Sequence, residues 1–112
     1  MKMISAIIKP EKLDEVKNAL NEKDIKGITI TQVIGAGNQK GRKQMYRGSE
    51  VGINLLPKIK LEVAVHDAQV DELVQVIMKI ANTGSIGDGK IFVYTLDNAY
   101  RVRTGETGDA AL

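Results

Sequence analysis

Lys58-Ile59-Lys60-Leu61-Glu62-Val63-Ala64-Val65 alternates without a break. Successive side chains of an extended strand point to opposite faces. Ile59, Leu61, Val63 and Val65 therefore share one face, and Lys58, Lys60, Glu62 and Ala64 the other. That is the pattern of a strand covering an apolar core on one side. Downstream the period changes. Asp67 is placed to cap a helix, and Val70, Leu73, Val74, Ile77 and Ala81 form one helical stripe. A glycine-rich turn from Thr83 to Gly89 follows, and Lys90-Ile91-Phe92-Val93-Tyr94-Thr95 predicts a further strand.

Upstream, residues 2–9 read as a strand with Ile4, Ala6 and Ile8 on one face and Met3 and Ile7 on the other. Pro10 ends it at a position suited to a helix start. Leu13, Val16 and Leu20 make the apolar stripe of a helix over 11–23, Asp24 to Gly27 is a turn, and the β-branched run 28–34 predicts a strand. Between Gly35 and Pro57 lie Gly35, Gly37, Gly41, Gly48 and Gly52, with no sustained period. A loop of that length in a compact domain is usually functional or disordered. The order strand, helix, strand, strand, helix, strand is the split βαβ pattern. It predicts an α+β, ferredoxin-like βαββαβ fold: an antiparallel sheet with both helices on one face and a long loop between the second and third of its strands. The open face carries Thr29, Thr31, Lys60, Glu62 and some apolar groups, which suits either solvent or subunit association.

With 112 residues, the chain suffices for one domain. It has no cysteine, which excludes disulfide scaffolding and thiolate metal sites. The apolar start stops at Pro10, too short for a signal peptide or membrane helix, so the reading is cytoplasmic. A net charge of +2 and few aromatics do not suit a dedicated nucleic-acid binder. Basic residues do cluster at Lys40, Arg42, Lys43 and Arg47, and at Lys58 and Lys60. Beside glycines, such clusters suit phosphate or carboxylate ligands as well as plain solvation.

Two motifs imitate phosphate loops. Gly35-Ala36-Gly37-Asn38-Gln39-Lys40 begins as a dinucleotide fingerprint but has Lys40 at the third glycine and leads into a loop. Gly84-Ser85-Ile86-Gly87-Asp88-Gly89-Lys90-Ile91 satisfies GxxxxGK, but Ile91 replaces the magnesium-holding hydroxyl and the turn runs from helix to strand. Its glycines still allow an anion-binding concavity of N–H groups, with Lys90 adding charge. His66 is the only histidine, and no catalytic set surrounds it. The residues predict no enzyme.

Several segments together resemble the PII family of nitrogen-regulatory signal-transduction proteins. They are Ala6-Ile7-Ile8-Lys9-Pro10, Tyr46-Arg47-Gly48-Ser49-Glu50 with Leu56-Pro57-Lys58-Ile59-Lys60-Leu61-Glu62, Thr83 to Val93, and Arg101-Val102-Arg103-Thr104-Gly105-Glu106. The resemblance runs the length of the chain. It implies one PII domain over 1–112, with a T-loop over about 36–57, a B-loop over about 82–90 and a C-terminal loop over about 101–112. It also implies a homotrimer binding ATP or ADP, Mg2+ and 2-oxoglutarate between subunits. The partners implied are an ammonium transport channel, transcription regulators or nitrogen-assimilation enzymes, with membrane association through the channel alone.

Carried over by position, the resemblance assigns Gly87, Asp88, Gly89 and Lys90 to the nucleotide phosphates, with Arg101 and Arg103 reaching them across the subunit boundary. Thr29, Glu62 and Ala64 line the adenosine part. Gly35, Gly37, Asn38 and Gln39 sit at the loop base. Gln39 completes magnesium coordination there, and Gly37, Gln39 and Lys58 take 2-oxoglutarate. Arg47 is the channel-inserting residue; Ser49 is a candidate modification site, though the reading favours control by ligand occupancy without a covalent step. Asn38 stands where the family commonly has Arg, and Val51 where many members have a modifiable Tyr. Other ferredoxin-like trimers and a slow ATPase are rival readings, opposed by the retained loop motif and by the missing water-positioning set.

Overall fold

Alternation in the sequence becomes one antiparallel sheet because its apolar faces have two helices to meet. The computed structural model describes the backbone of residues 1–38, 44–46, 49–51 and 53–112, and the side chains of 1–37 and 55–112. Its elements are β1 (Lys2–Ile8), α1 (Leu13–Glu22), β2 (Thr29–Asn38), β3 (Gln44–Tyr46), β4 (Ser49–Val51), β5 (Ile53–Val65), α2 (Val70–Ala81) and β6 (Gly89–Thr95). The four-stranded sheet has the order β2-β5-β1-β6. Each neighbouring pair is antiparallel.

Register puts the expected faces together. Leu61 lies opposite Ala6 on one side and Ile30 on the other, and Val63 opposite Ile4. Ile4, Ala6, Leu61, Val16, Leu20 and Ile77 have no exposure, so both helix stripes close on one sheet face. Burying each of the Ile, Leu and Val side chains among them stabilises by roughly 1.5–3 kcal/mol. On the opposite face Met3, Ser5 and Ile7 stand beside Tyr94, Phe92 and Lys90 of β6. Phe92 is 51% exposed there, an apolar group on a face that no element covers among the described residues.

Two expectations need correction. The first concerns the long loop. β2 and β5 continue to pair beyond the predicted strand ends, through Gly35↔Leu56, Ala36↔Leu55, Gly37↔Asn54 and Asn38↔Ile53. A second ladder, β3 with β4, lies within the same segment. The ribbon leaves no period because it has passed beyond the helices: Ile34 is 73% and Leu55 71% exposed, so no buried face demands alternation.

The second concerns Asp67. It opens a short 3-10 turn, Asp67–Gln69, and the cap position before that turn is His66. The His66 N–H donates to Gln69 Oε1 at 3.0 Å. The Asp67 carboxylate instead accepts from the Met1 ammonium at 2.8 Å, with Lys2 Nζ at 3.5 Å. That hydrogen bond first, then the charge of Lys2, holds its carboxyl below the usual carboxylate range.

Candidate functional site

The turn between α2 and β6 is wound around one carboxylate. Asp88 Oδ2 accepts from the Thr83 N–H at 2.7 Å and the Gly84 N–H at 3.0 Å. Its Oδ1 accepts from the Thr83 hydroxyl and faces Lys9 Nζ at 3.1 Å. Lys9 also donates to Thr83 Oγ1 at 3.2 Å. The Asp88 carboxyl is held well below the usual range, chiefly by the Thr83 hydroxyl, against a partial loss of water. The carboxylate thus faces into its own loop, while the resemblance had grouped it with the phosphate contacts.

Gly89 lets that loop enter the sheet. Its φ is +109°, and a Cβ there would lie 1.7 Å from the Ile7 carbonyl oxygen. Gly89 pairs with Ile8, and Lys90 with Ile7, so the loop is fixed to the end of β1. From the other side, Lys58 Nζ donates to the Gly87 carbonyl oxygen. Lys58 pairs with Val33 and reaches diagonally toward Gly35, where a Cβ would come within 3.1 Å of Lys58 Cγ. Folding therefore gathers Gly35, Lys58, Gly87, Asp88, Gly89 and Lys90 around one end of the sheet. Lys58 is not confined to the loop base, since it reaches the glycine-rich turn as well.

Glu62 sits in mid-sheet, opposite both Ser5 and Thr29. Tyr94 Oη donates to Glu62 Oε2 at 3.3 Å, and Lys60 Nζ lies 3.7 Å from Oε1. Desolvation first, then the Glu62 charge, pushes the Tyr94 hydroxyl up. Ala64 lies farther along the same strand, opposite Met3. A cavity of about 610 Å³ there is lined by Lys26, Gly27, Ala64, Arg101 and Leu112 among others. Arg101 Nη2 donates to the Leu112 oxygen at 3.0 Å, and its Nε lies 3.9 Å from Glu106. The tail does not run extended: residues 102–104 form a turn, so Arg101 and Arg103 do not share a strand face. Lys58 and Ala64 are separated along β5 by about 20 Å at strand rise. Within one chain, the tail and the glycine-rich turn thus lie at opposite ends of the sheet.

Gly37 lies in the ribbon, Asn38 closes β2, and Ser49 opens β4 opposite Tyr46. Gln39 and Arg47 lie outside the described residues. Among the described residues, no three His, Asp or Glu side chains gather as a metal site. The sequence reading missed Lys9 and Thr83 as loop-forming residues. The signal available was polar side chains flanking a glycine-rich turn, which compete for backbone N–H groups.

The family model described as Nitrogen regulatory protein P-II matches residues 1–106. The chain belongs to the P-II family. A "Nitrogen regulatory protein P-II" of Rhizobium etli is 54% identical to this P-II chain over 112 residues, covering all of both chains. "Nitrogen regulatory protein GlnK" of Escherichia coli K12 is 51% identical over the same span, again covering both completely. A solved structure titled "Structure of B. subtilis GlnK" superposes with a TM-score of 0.84 at 33% identity, over 99% of this chain and 97% of the other. These relatives bear the names of regulatory proteins, not of enzymes. Among the described residues, no helix is long and apolar enough to cross a membrane.

Proposed function

We propose that this P-II protein is a sensor of nitrogen, carbon and energy status. It binds ATP or ADP together with 2-oxoglutarate in clefts between the subunits of a cytoplasmic homotrimer, and it regulates partners through the conformation of its long loop. The observation that carries the reading is the meeting of Lys58 with the Gly87 carbonyl, which joins the loop base to the glycine-rich turn. Phosphates and a dianionic acid need cationic side chains and backbone N–H donors, which hydrogen-bond more strongly to charged partners. Lys58, Lys90 and the Gly87–Gly89 backbone provide such donors at one end of the sheet.

In this reading the adenosine part lies along Thr29, Glu62 and Ala64, and the phosphates at Gly87, Asp88, Gly89 and Lys90. Gly35, Gly37, Asn38 and Gln39 hold the loop base, and Gly37, Gln39 and Lys58 take the acid. Gln39 would hold a Mg2+ ion, which would supply positive charge to the anionic ligands; an ion that keeps most of its coordination to water and phosphate needs no protein cluster. Arg101 and Arg103 belong to a neighbouring subunit's phosphates. The distance between the two ends of β5 supports this, because phosphates held at the Lys58 end lie far from the same chain's tail, which meets Ala64 at the other end. The exposed Phe92 face supports subunit contact.

A ligand moves the loop only through unequal affinity for its conformers. Docking on an ammonium transport channel through Arg47, or on transcription regulators or nitrogen-assimilation enzymes, follows from that selection. Calorimetry with Mg-ATP, with 2-oxoglutarate, and with both together tests the proposal. Acid binding that requires the nucleotide is the expected result, in a protein whose solution mass is that of a trimer. A monomer that binds Mg-ATP tightly, or turnover of ATP at ordinary enzymatic rates, would sink it.

A further inference from the structure

We propose that Lys9 and Thr83 are positioning residues for the nucleotide phosphates, acting through Asp88 and not by touching the ligand. The proposal rests on the nucleotide reading above. Its ground is the disposition of the Asp88 carboxylate. Oδ2 is taken by two backbone N–H groups and Oδ1 by a hydroxyl, with the Lys9 ammonium at 3.1 Å. A carboxylate aimed outward from this loop would repel a polyphosphate. Turned inward it repels little, because Lys9 counters its charge, and it organises the loop that curls about it.

Lys9 is well placed for a fixed role. It directly follows β1, before Pro10, and its carbonyl accepts from the Lys12 N–H at 3.0 Å. Its side chain is 20% exposed and that of Asp88 21%, so the pair is partly shielded from screening. Thr83 uses both its N–H and its hydroxyl on Asp88. One strand end and one helix end are therefore tied to a single anion. The phosphate-facing backbone of the turn is shaped before any ligand arrives, which removes part of the ordering cost of binding.

The test measures Mg-ATP affinity by calorimetry on Lys9→Met, Asp88→Asn, their double variant and Lys9→Arg. Amide exchange at Thr83 and Gly84 is followed in each. Lys9→Met and Asp88→Asn should each weaken Mg-ATP binding roughly tenfold, as expected for losing a charge-assisted hydrogen bond. The double variant should be no weaker than Asp88→Asn beyond about twofold, because both changes break one unit. Lys9→Arg should restore most of the affinity, and exchange at both amides should quicken only in the weakened variants.

Wild-type affinity or tighter binding in Lys9→Met would overturn the proposal, since an unmasked Asp88 would then be harmless or would itself bind the ligand. Additive losses in the double variant would overturn it too. If wild-type protein takes up no Mg-ATP at all, the nucleotide reading falls and this proposal with it. Normal wild-type binding with unaffected variants defeats the proposal alone.

Discussion

Replacing Gly89 by alanine asks whether the glycine-rich turn is held by its entry into the sheet. The added Cβ would lie 1.7 Å from the Ile7 carbonyl oxygen, and since real contacts stay beyond 3.0 Å, one of the two strands must retreat by at least 1.3 Å. What must move is backbone, so no side chain can swing aside. The φ of +109° adds a strain of about 1–3 kcal/mol for a residue with a side chain. Retreat also breaks the Ile8↔Gly89 end of the β1–β6 ladder, each lost backbone hydrogen bond costing about 0.5–1.5 kcal/mol. A total of about 3–5 kcal/mol corresponds to a fall in Tm of roughly 10–20 °C for a domain of this size. Gly84→Ala is the control. Its φ is +80°, but nothing lies within 4 Å of the added carbon. It should cost only the backbone preference, about 1 kcal/mol. Thermal unfolding of both variants at one protein concentration measures the difference, since self-association shifts apparent stability. Equal losses in the two variants, or a Gly89→Ala protein within about 2 °C of wild type, would refute the steric reasoning.

Three further predictions follow from the same residues. Asp88 has its folded pKa below the unfolded value of about 3.9, so its contribution is fully present above that value and is lost only as pH falls through the folded one. Amide protection at Thr83 and Gly84 should then be flat from pH 7 to about 4, and NMR exchange showing a loss near pH 5 would contradict the assignment. Lys58→Met should abolish 2-oxoglutarate binding and also weaken Mg-ATP by a few-fold, because Lys58 holds the Gly87 carbonyl, and calorimetry on the variant checks both effects. Val51 offers no hydroxyl, so intact-mass spectra from nitrogen-starved and nitrogen-replete cells should show no nucleotidyl adduct there; an increment on Tyr46, or a phosphate on Ser49 that follows nitrogen supply, would argue for covalent control.

The fold was legible wherever a buried face imposed a period. Ile59, Leu61, Val63 and Val65, like Leu73 and Ile77, occur at the spacing that a single core demands, and all are buried. The ribbon beyond Ile34 was not legible, because main-chain pairing in exposed strands asks nothing of side-chain order. Asp67 misled for a related reason: a carboxylate before a helix suits a cap, but a closer cation drew it away. At the proposed site, Lys58 and the glycines were suggestive of anion-binding chemistry by residue type alone. Lys9 and Thr83 were not, since their importance lies in meeting Asp88, and Lys9 does so across 79 positions of chain.

β5 is at once the inner strand between β1 and β2 and half of the ribbon that leaves the helices behind. Its inner stretch is constrained by every neighbour, while exposed Leu55 and Ile34 lie where the ladder alone holds the chain together. One continuous strand thus divides into a conservative half and a permissive half. Substitutions in the permissive half can rewrite the surface offered to other molecules without reopening the question of how the domain folds. Lineages of such a protein can vary the ribbon through a few outward side chains and keep the helix-backed half of the strand intact.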